Sequence, residues 1–535
     1  MAFPIFLKTK SKFHWAAIKL ITECSKNLLA AWLFFSVSSL TVAEDNNPGR
    51  RPNILFIMTD QQRWDCLGAN GNGIIKTPNL DWLAKLSANF THAFVQAPVC
   101  VPSRVSFFTG RYPHSHKNRV NYTPLDEGEI LMQARFQQAG YTTASVGKLH
   151  LFPPTLEHAK QTGFDIVELH DAVSYLDQHS DYVKWRSEHD PQEKIPYRQY
   201  AKNIEPGGNP FRAAIDEKYT DTVWCGERTR HHLKELAAAD KPFFLYSSFW
   251  KPHSPYEVPA PYDSMYNDVE IPLPKLTTLE EIKRLPPPLQ KLILRGKKPP
   301  YDMDRERLQW IYRSYYAAIS QVDKEIGLIL KTLEETGEAD QTIVAFSSDH
   351  GDQLLKHGML GKNAFFEESV RVPLLVSYPG HVRPGKYANL VECIDLMPTL
   401  LEFAGIPEPV ENQGRSLAPL IADMGRKYSP KFAVFSENVI PEVINSLDAY
   451  FEKGKGIQGI RYPDAKMVRS QFWKYNYYPD GYAELYYLRS DPDETRNLAG
   501  HPEHADVERE MKDRLLHWMV TADAPDQIAP KWLVK

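Results

Sequence analysis

PNILFIMTD, residues 52–60, is a short unbroken apolar run that ends in a carboxylate. A strand with one wet face alternates apolar and polar residues. A run that is apolar at nearly every position fits a strand buried on both faces, as in a parallel sheet. The pattern recurs at YTTASVGKLH (141–150), KPFFLYSSFWKPH (241–253), QTIVAFSSDHGD (341–352) and RVPLLVSYPG (371–380). Helical patterns lie between these runs, the longest over 307–337, where Gly337 suits a helix end. Strands alternating with helices predict an α/β fold, a large and mostly parallel sheet covered by helices on both faces. Ligands bind such sheets beyond the carboxyl ends of the strands. Asp60, Lys148, His150, His253, Asp349 and His350 all fall there, and a site is expected at that edge.

The remaining length needs a second unit, because 535 residues exceed what one core ordinarily serves. From about residue 429, MVRSQFWKYNYY and AELYYL alternate as antiparallel strands do, joined by the turn PDG, and HADVEREMKDRLLHWMV reads as a closing amphipathic helix. The expected division is a catalytic domain over 44–428 and a smaller C-terminal α+β subdomain with an antiparallel sheet over 429–535. Residues 155–305, polar and rich in Pro, Trp and Tyr, read as a loop-rich insertion over the site. In 1–43, lysines 8, 10, 12, 19 and 26 precede LLAAWLFFSVSSL and then TVA, which predicts a signal peptide cleaved after Ala43 and a secreted or periplasmic protein. The alternative is an uncleaved membrane anchor, although the apolar run is shorter than the ~20 residues that span a bilayer. A net charge of −4 and the absence of a basic run interleaved with aromatics argue against nucleic acid as a partner. Five cysteines without a CxxC pair are neither a disulfide framework nor a structural zinc site.

CVPSRVSFFTGR (100–111) sets Cys100 at the start of a predicted helix with Pro102 in its first turn, where backbone amides favour an anion. Arg104, one turn on, returns toward the same spot. Alone, this pattern describes either a low-pKa thiolate nucleophile or a buried cysteine ahead of a helix. CVPSR with its TGR does not stand alone, however. NILFIMTDQQRWD, GKLH, KPHSP, SSDHGD, a downstream lysine, ESVRVPLLV, DLMPTLLEFAG and ELYYLRSDPDETRNLA accompany it in order. Together they resemble the type I, formylglycine-dependent sulfatases of the alkaline-phosphatase-like superfamily.

The resemblance implies that a formylglycine-generating maturation enzyme oxidises Cys100 to an aldehyde that hydrates to a gem-diol. One hydroxyl attacks sulfur to give a covalent sulfated intermediate, and the second expels sulfate, a step for which serine or cysteine has no group. Asp60, Gln61, Asp349 and His350, with the modified Cys100, match the ligands of one divalent metal. Gln61 stands where many members carry a second aspartate. Oxygen donors suit Ca²⁺, whereas the imidazole and the lost carboxylate move the set toward Mn²⁺ or Zn²⁺. Arg104, Lys148 and Lys362 match positions that bind the sulfate or the diol. His150 matches a base at the diol, and His253 an acid for the leaving alcohol. His357, between the metal pair and Lys362, is a candidate substrate contact.

Two further groups are read from the residues alone. Arg63, Trp64 and Asp65 either face the pocket or cover a helix surface. Tyr182, Lys184, Trp185 and Arg186 either hold a sugar or are ordinary surface. The expected substrate is a sulfated carbohydrate or polysaccharide. Phosphonate monoester and phosphodiester hydrolases share the signature and form the first alternative. A non-catalytic glycan-binding protein on the same fold is the second.

Overall fold

The computed structural model describes residues 50–121, 123–171, 180–191, 200–202, 208–294, 303–439 and 464–523. The expected signal peptide lies outside the described residues. The large sheet is built from β1 (Asn53–Asp60), β2 (Ala88–Phe94), β3 (Thr142–Gly147), β4 (Ile166–Leu169), β5 (Phe243–Pro252), β6 (Thr342–Ser348), β7 (Arg371–Ser377), β8 (Gly385–Tyr387) and β9 (Val391–Glu392). Their order is β4-β3-β5-β1-β6-β7-β2-β8, with β9 on β2. The helices used below are α1 (Cys100–Thr109), α2 (Asp181–His189), α3 (Asp221–Ala237), α4 (Arg305–Glu335), α5 (Leu396–Phe403) and α6 (Ala505–Thr521).

β1 shows why its sequence is apolar throughout. Ile54, Phe56 and Met58 pack in one core with Phe107 of α1 and Leu396 and Leu400 of α5. Leu55 and Ile57, pointing the other way, pack with Trp224 and Leu233 of α3 and Val322 and Ile326 of α4. Successive side chains alternate between faces, so two helical covers demand two apolar registers. β3, β5, β1 and β6 are adjacent and parallel, and their carboxyl ends lie side by side. β7 is antiparallel to both β6 and β2, which makes the sheet mostly rather than wholly parallel.

The second sheet, β10 (Ala433–Val439), β11 (Asp464–Ser470), β12 (Trp473–Tyr477) and β13 (Ala483–Tyr487), is antiparallel in simple sequence order. α6 covers it, with Met511, Leu515 and Trp518 against Val468, Tyr475 and Leu485. The described residues of 155–305 contain regular elements. They supply β4, the long β5, and α3, whose buried Trp224, Cys225, Leu233 and Leu236 form an apolar stripe on an otherwise charged helix. Averaged composition hides such a stripe, because its period is that of the helix and not of the window.

Candidate active site

The strand ends meet where expected. Asp60 closes β1, Asp349 and His350 follow β6, and Cys100 opens α1. One ligand atom from each of these four lies within 4.8 Å of the others. All four residues are buried. Nδ1 of His350 donates to the Gly351 carbonyl at 3.0 Å. This fixes the tautomer and turns the Nε2 lone pair toward Cys100 Sγ at 3.2 Å. Asp349 Oδ1 and Asp60 Oδ1 lie 3.6 and 3.8 Å from that nitrogen. Asp60 Oδ1 is buried and accepts no hydrogen bond, a costly state that a bound cation relieves. Two carboxylates and a correctly turned imidazole therefore fit a divalent metal.

Gln61 sits beside them in a left-handed conformation, φ +71°. A non-glycine residue held there stores backbone strain, as residues at functional sites often do. Its backbone N–H donates to Asp349 Oδ1 at 3.0 Å and its Oε1 accepts from Lys362 Nζ at 3.0 Å. Its amide donates to Asp352. The other oxygen of Asp352 accepts from the backbone of Leu354 and Gly361, each at 2.9 Å. Asp352 thereby ties Gln61 to the loop that carries Lys362. It stands two residues past His350 in SSDHGD, so adjacency to the motif was the signal available for it.

Lys362 Nζ lies 3.0 Å from Cys100 Sγ, and Lys148 contacts Asp60 while its Nζ sits 3.8 Å from the centre of the Trp250 ring. Burial pushes the Cys100 thiol up and Asp60 adds to this, yet Lys362, Lys148 and His350 hold it below the usual thiol value. Burial likewise opposes ionisation of Asp60, but Lys148, His253, Lys362 and Arg104 hold it well below the usual carboxylate range.

Arg104 differs from the other two cations. It is fully buried, and its donors are spent within the protein. Nε bonds Asp349 Oδ2 at 2.9 Å, and Nη2 reaches Asp60 Oδ2 at 3.3 Å. Nη1 bonds the Lys148 carbonyl at 2.7 Å, Ser248 Oγ at 2.9 Å and Tyr246 Oη at 3.0 Å. The structure places it beneath the carboxylates, as the clamp that holds three strand ends together.

Both catalytic histidine candidates are at the site. Burial, then Lys148 and Arg104, keep His150 well below its ordinary value, and burial with Lys362 does the same for His253. His253 Nδ1 donates to the Ser254 carbonyl at 2.6 Å, leaving Nε2 free. His150 has φ +55°, and its backbone N–H donates to Asp171 Oδ1 at 2.7 Å. Asp171 carries no local sequence signal, and its position follows from β4 pairing beside β3. Burial pushes its carboxyl up to about 6.

A raised carboxyl pKa means that the folded state holds this proton more tightly than the unfolded chain does. Asp171 therefore costs stability as pH rises from about 4 to about 6. Asp171→Asn keeps the acceptor for His150 and should flatten that part of the pH–stability curve with activity retained. Asp171→Ala should lower kcat by about tenfold through loss of one hydrogen bond to the His150 turn. Equal activity in the two variants would remove Asp171 from the site.

Several expected contacts lie elsewhere. His357 stacks on Phe366, centroids 3.6 Å apart, and with Arg63, Trp64 and Asp65 lines a separate cavity that no catalytic candidate lines. Tyr182 is fully buried and donates to the Tyr219 carbonyl at 2.7 Å, and Arg186 pairs with Asp190 at 2.8 Å. Tyr182 thus ties α2 to the segment at Tyr219, and Arg186 is held at its own helix end. Trp185 stacks on His189, and Lys184 is exposed. Cys66, Cys100, Cys225 and Cys393 are all free and buried.

Known proteins resemble this chain in sequence and fold. The sequence model of the family described as Sulfatase matches residues 52–406, and that described as N-sulphoglucosamine sulphohydrolase, C-terminal, matches 356–521. An arylsulfatase of Clostridium perfringens is 34% identical over 403 residues, 70% of this chain and 79% of that protein. An N-acetylglucosamine-6-O-sulfatase of Bacteroides thetaiotaomicron is 26% identical across 94% of this chain and 93% of its own. The crystal structure of a phosphonate monoester hydrolase of Agrobacterium radiobacter superposes with a TM-score of 0.76 at 26% identity, covering 88% of this chain and 96% of that one. The chain belongs to the sulfatase family of the alkaline-phosphatase-like superfamily, and its enzyme class is sulfuric ester hydrolase.

Proposed function

We propose that this enzyme removes sulfate from a sulfated carbohydrate, using a formylglycine made from Cys100 by a maturation enzyme and one divalent cation, calcium. The observation that carries the reading is the meeting of Cys100 with Asp60, Asp349 and His350 in one buried cluster, with half-buried Lys362 beside it. Oxidation of Cys100 supplies a hydrated aldehyde, one hydroxyl for attack and one for release. Asp60, Asp349 and His350, with Gln61 at the edge of the set, would hold the cation, which would supply positive charge to a bound sulfate.

The chain's own residues do the rest. Lys148 and Lys362 are fixed cations in a buried site, each worth roughly 3 kcal/mol to a transition state whose charge spreads over sulfate oxygens. Arg104 and Asp352 hold these parts in register. His253 Nε2 is the atom free to carry a proton to the leaving alcohol, and the negative charge of an arriving sulfate offsets the Lys362 charge that, after burial, keeps this ring neutral. His253→Ala should lower kcat/KM for alkyl and sugar sulfates by about 10²-fold and for 4-nitrophenyl sulfate far less, because acid assistance matters most for a basic leaving group. Equal losses on both would remove the acid role.

A carbohydrate substrate is supported by the glucosamine sulfohydrolase match over 356–521 and by the N-acetylglucosamine-6-O-sulfatase relative. Export rests on residues 1–43; no helix among the described residues is long and apolar enough to cross a membrane. The Agrobacterium neighbour supports one second reading, phosphonate monoester hydrolysis. Comparison of kcat/KM on 4-nitrophenyl sulfate and a phenyl phosphonate monoester, with enzyme co-expressed with a maturation enzyme, tests between them. Preference for the sulfate is expected, and preference for the phosphonate would overturn the sulfate reading.

A further inference from the structure

One cavity takes in Arg63, Trp64 and His357. It has a volume of about 1230 Å³ and runs between the loop after β1 and the segment after β13. No residue of the catalytic cluster lines it. Its charge is unlike that of the protein as a whole. Eight lysines and arginines line it against six carboxylates, in a chain whose net charge is −4. Every one of those carboxylates is already in an ion pair with a lysine or arginine. Arg284, Arg489 and Arg496, by contrast, are exposed and make no ion pair or side-chain hydrogen bond among the described residues. Three guanidiniums without an ion pair among the described residues line one cavity.

Its apolar lining includes several aromatic rings beside leucines and prolines. Phe472 is 46% exposed, and the Trp64 ring lies 3.6 Å from the Arg371 guanidinium carbon, which holds it in place. Planar faces take the C–H faces of sugar rings, and unpaired guanidiniums take sulfate or carboxylate in fixed fork geometry. The volume exceeds the few hundred to ~1000 Å³ of ordinary small-molecule pockets. Trp64 is three residues from Gln61, so their Cα atoms are at most about 11 Å apart.

We infer that this cavity is a second, non-catalytic binding site for an anionic glycan, a place where a stretch of the polymer is held while another sugar lies at Cys100. Binding at this cavity stands on its own charge and aromatics, while the placing of another sugar at Cys100 rests on the proposed function.

The test uses the full chain carrying Cys100→Ala, titrated with dextran sulfate oligosaccharide, unmodified dextran and single-stranded DNA. The double variant Arg284→Ala/Arg489→Ala and the single variant Phe472→Ala are titrated in parallel. The expected result is binding of dextran sulfate only, weakened about tenfold by the arginine pair, as two exposed charge contacts allow. Phe472→Ala should weaken it separately by severalfold. In the Cys100 background these same exposed substitutions should leave kcat/KM on 4-nitrophenyl sulfate and the thermal midpoint unchanged. Affinity that none of the three substitutions alters, equal binding of uncharged dextran, or tighter binding of DNA would overturn the assignment. Loss of turnover on every sulfate ester, with this binding intact, would instead strike only the proposed catalytic function.

Discussion

Arg104→Ala should destabilise the fold by about 3–5 kcal/mol, the usual consequence of removing one partner from a buried charge cluster. Asp60, Asp349 and Arg104 are all 0% exposed, so bulk solvent does not stand in for the lost guanidinium. Asp60 and Asp349 would face each other without their shared counter-ion, and Ser248, Tyr246 and the Lys148 carbonyl would each lose a donor. Arg104→Lys keeps the charge but not the fork, and a single ammonium cannot reach all five acceptors, so an intermediate loss is expected. Arg509→Ala, which breaks an exposed pair with Asp506, is the control and should stay within about 0.5 kcal/mol. Urea midpoints at constant m read all three. An Arg104→Ala midpoint close to that of the control would show that the carboxylates do not need this clamp.

Cys100→Ala should reduce kcat by at least about 10³-fold while the thermal midpoint stays near that of the parent, since the change removes one sulfur from the start of a helix. Cys100→Ser is the more discriminating variant. A hydroxyl alone can attack once but has no second hydroxyl with which to release sulfate, so the proposed chemistry predicts stalling rather than turnover. Steady-state rates on 4-nitrophenyl sulfate, and the mass of the Cys100 peptide from the parent, read the two halves of this prediction. Appreciable turnover by either variant would sink the covalent route, whatever the peptide mass.

The strands and their ends were legible because a local pattern encodes them. A run such as 52–60 is apolar throughout only if both faces are covered, and a carboxylate at its end lands at the sheet edge wherever the neighbouring strands come from. Asp60, Lys148, His150, His253, Asp349 and His350 followed from that rule. Arg104 was legible as a member of the site but not in its task. Spacing one turn from Cys100 states where its Cα lies. Its direction was decided by α1 being buried at all ten of its residues, which turned the side chain inward to the carboxylates and the acceptors of β5 and Lys148. Asp171 and Tyr246 had no motif, since each arrives through pairing of strands distant in sequence. His357 sat between two site motifs in the chain, yet its turn, with φ +54°, sends it to stack on Phe366 in the other cavity. Proximity along a loop is a weak guide where the backbone leaves the common regions of φ and ψ.

The burial of Cys100 sets an order of events. At 1% exposure, beneath Lys362 and against His350, the thiol offers no surface to another protein. The strands that close over it, β1, β5 and β6, are drawn from residues 53–60, 243–252 and 342–348, so the central pairings span roughly half the chain. Parallel pairings at such separations are slow to form. On the proposed reading, a maturation enzyme has to capture CVPSR as an extended peptide before residue 348 has joined the sheet. A chain that folds unmodified is then locked as a thiol for as long as it stays folded. The specific activity of a preparation would record a race between oxidation and sheet closure, and slowing closure, by cold or by a destabilised β6, would raise the active fraction.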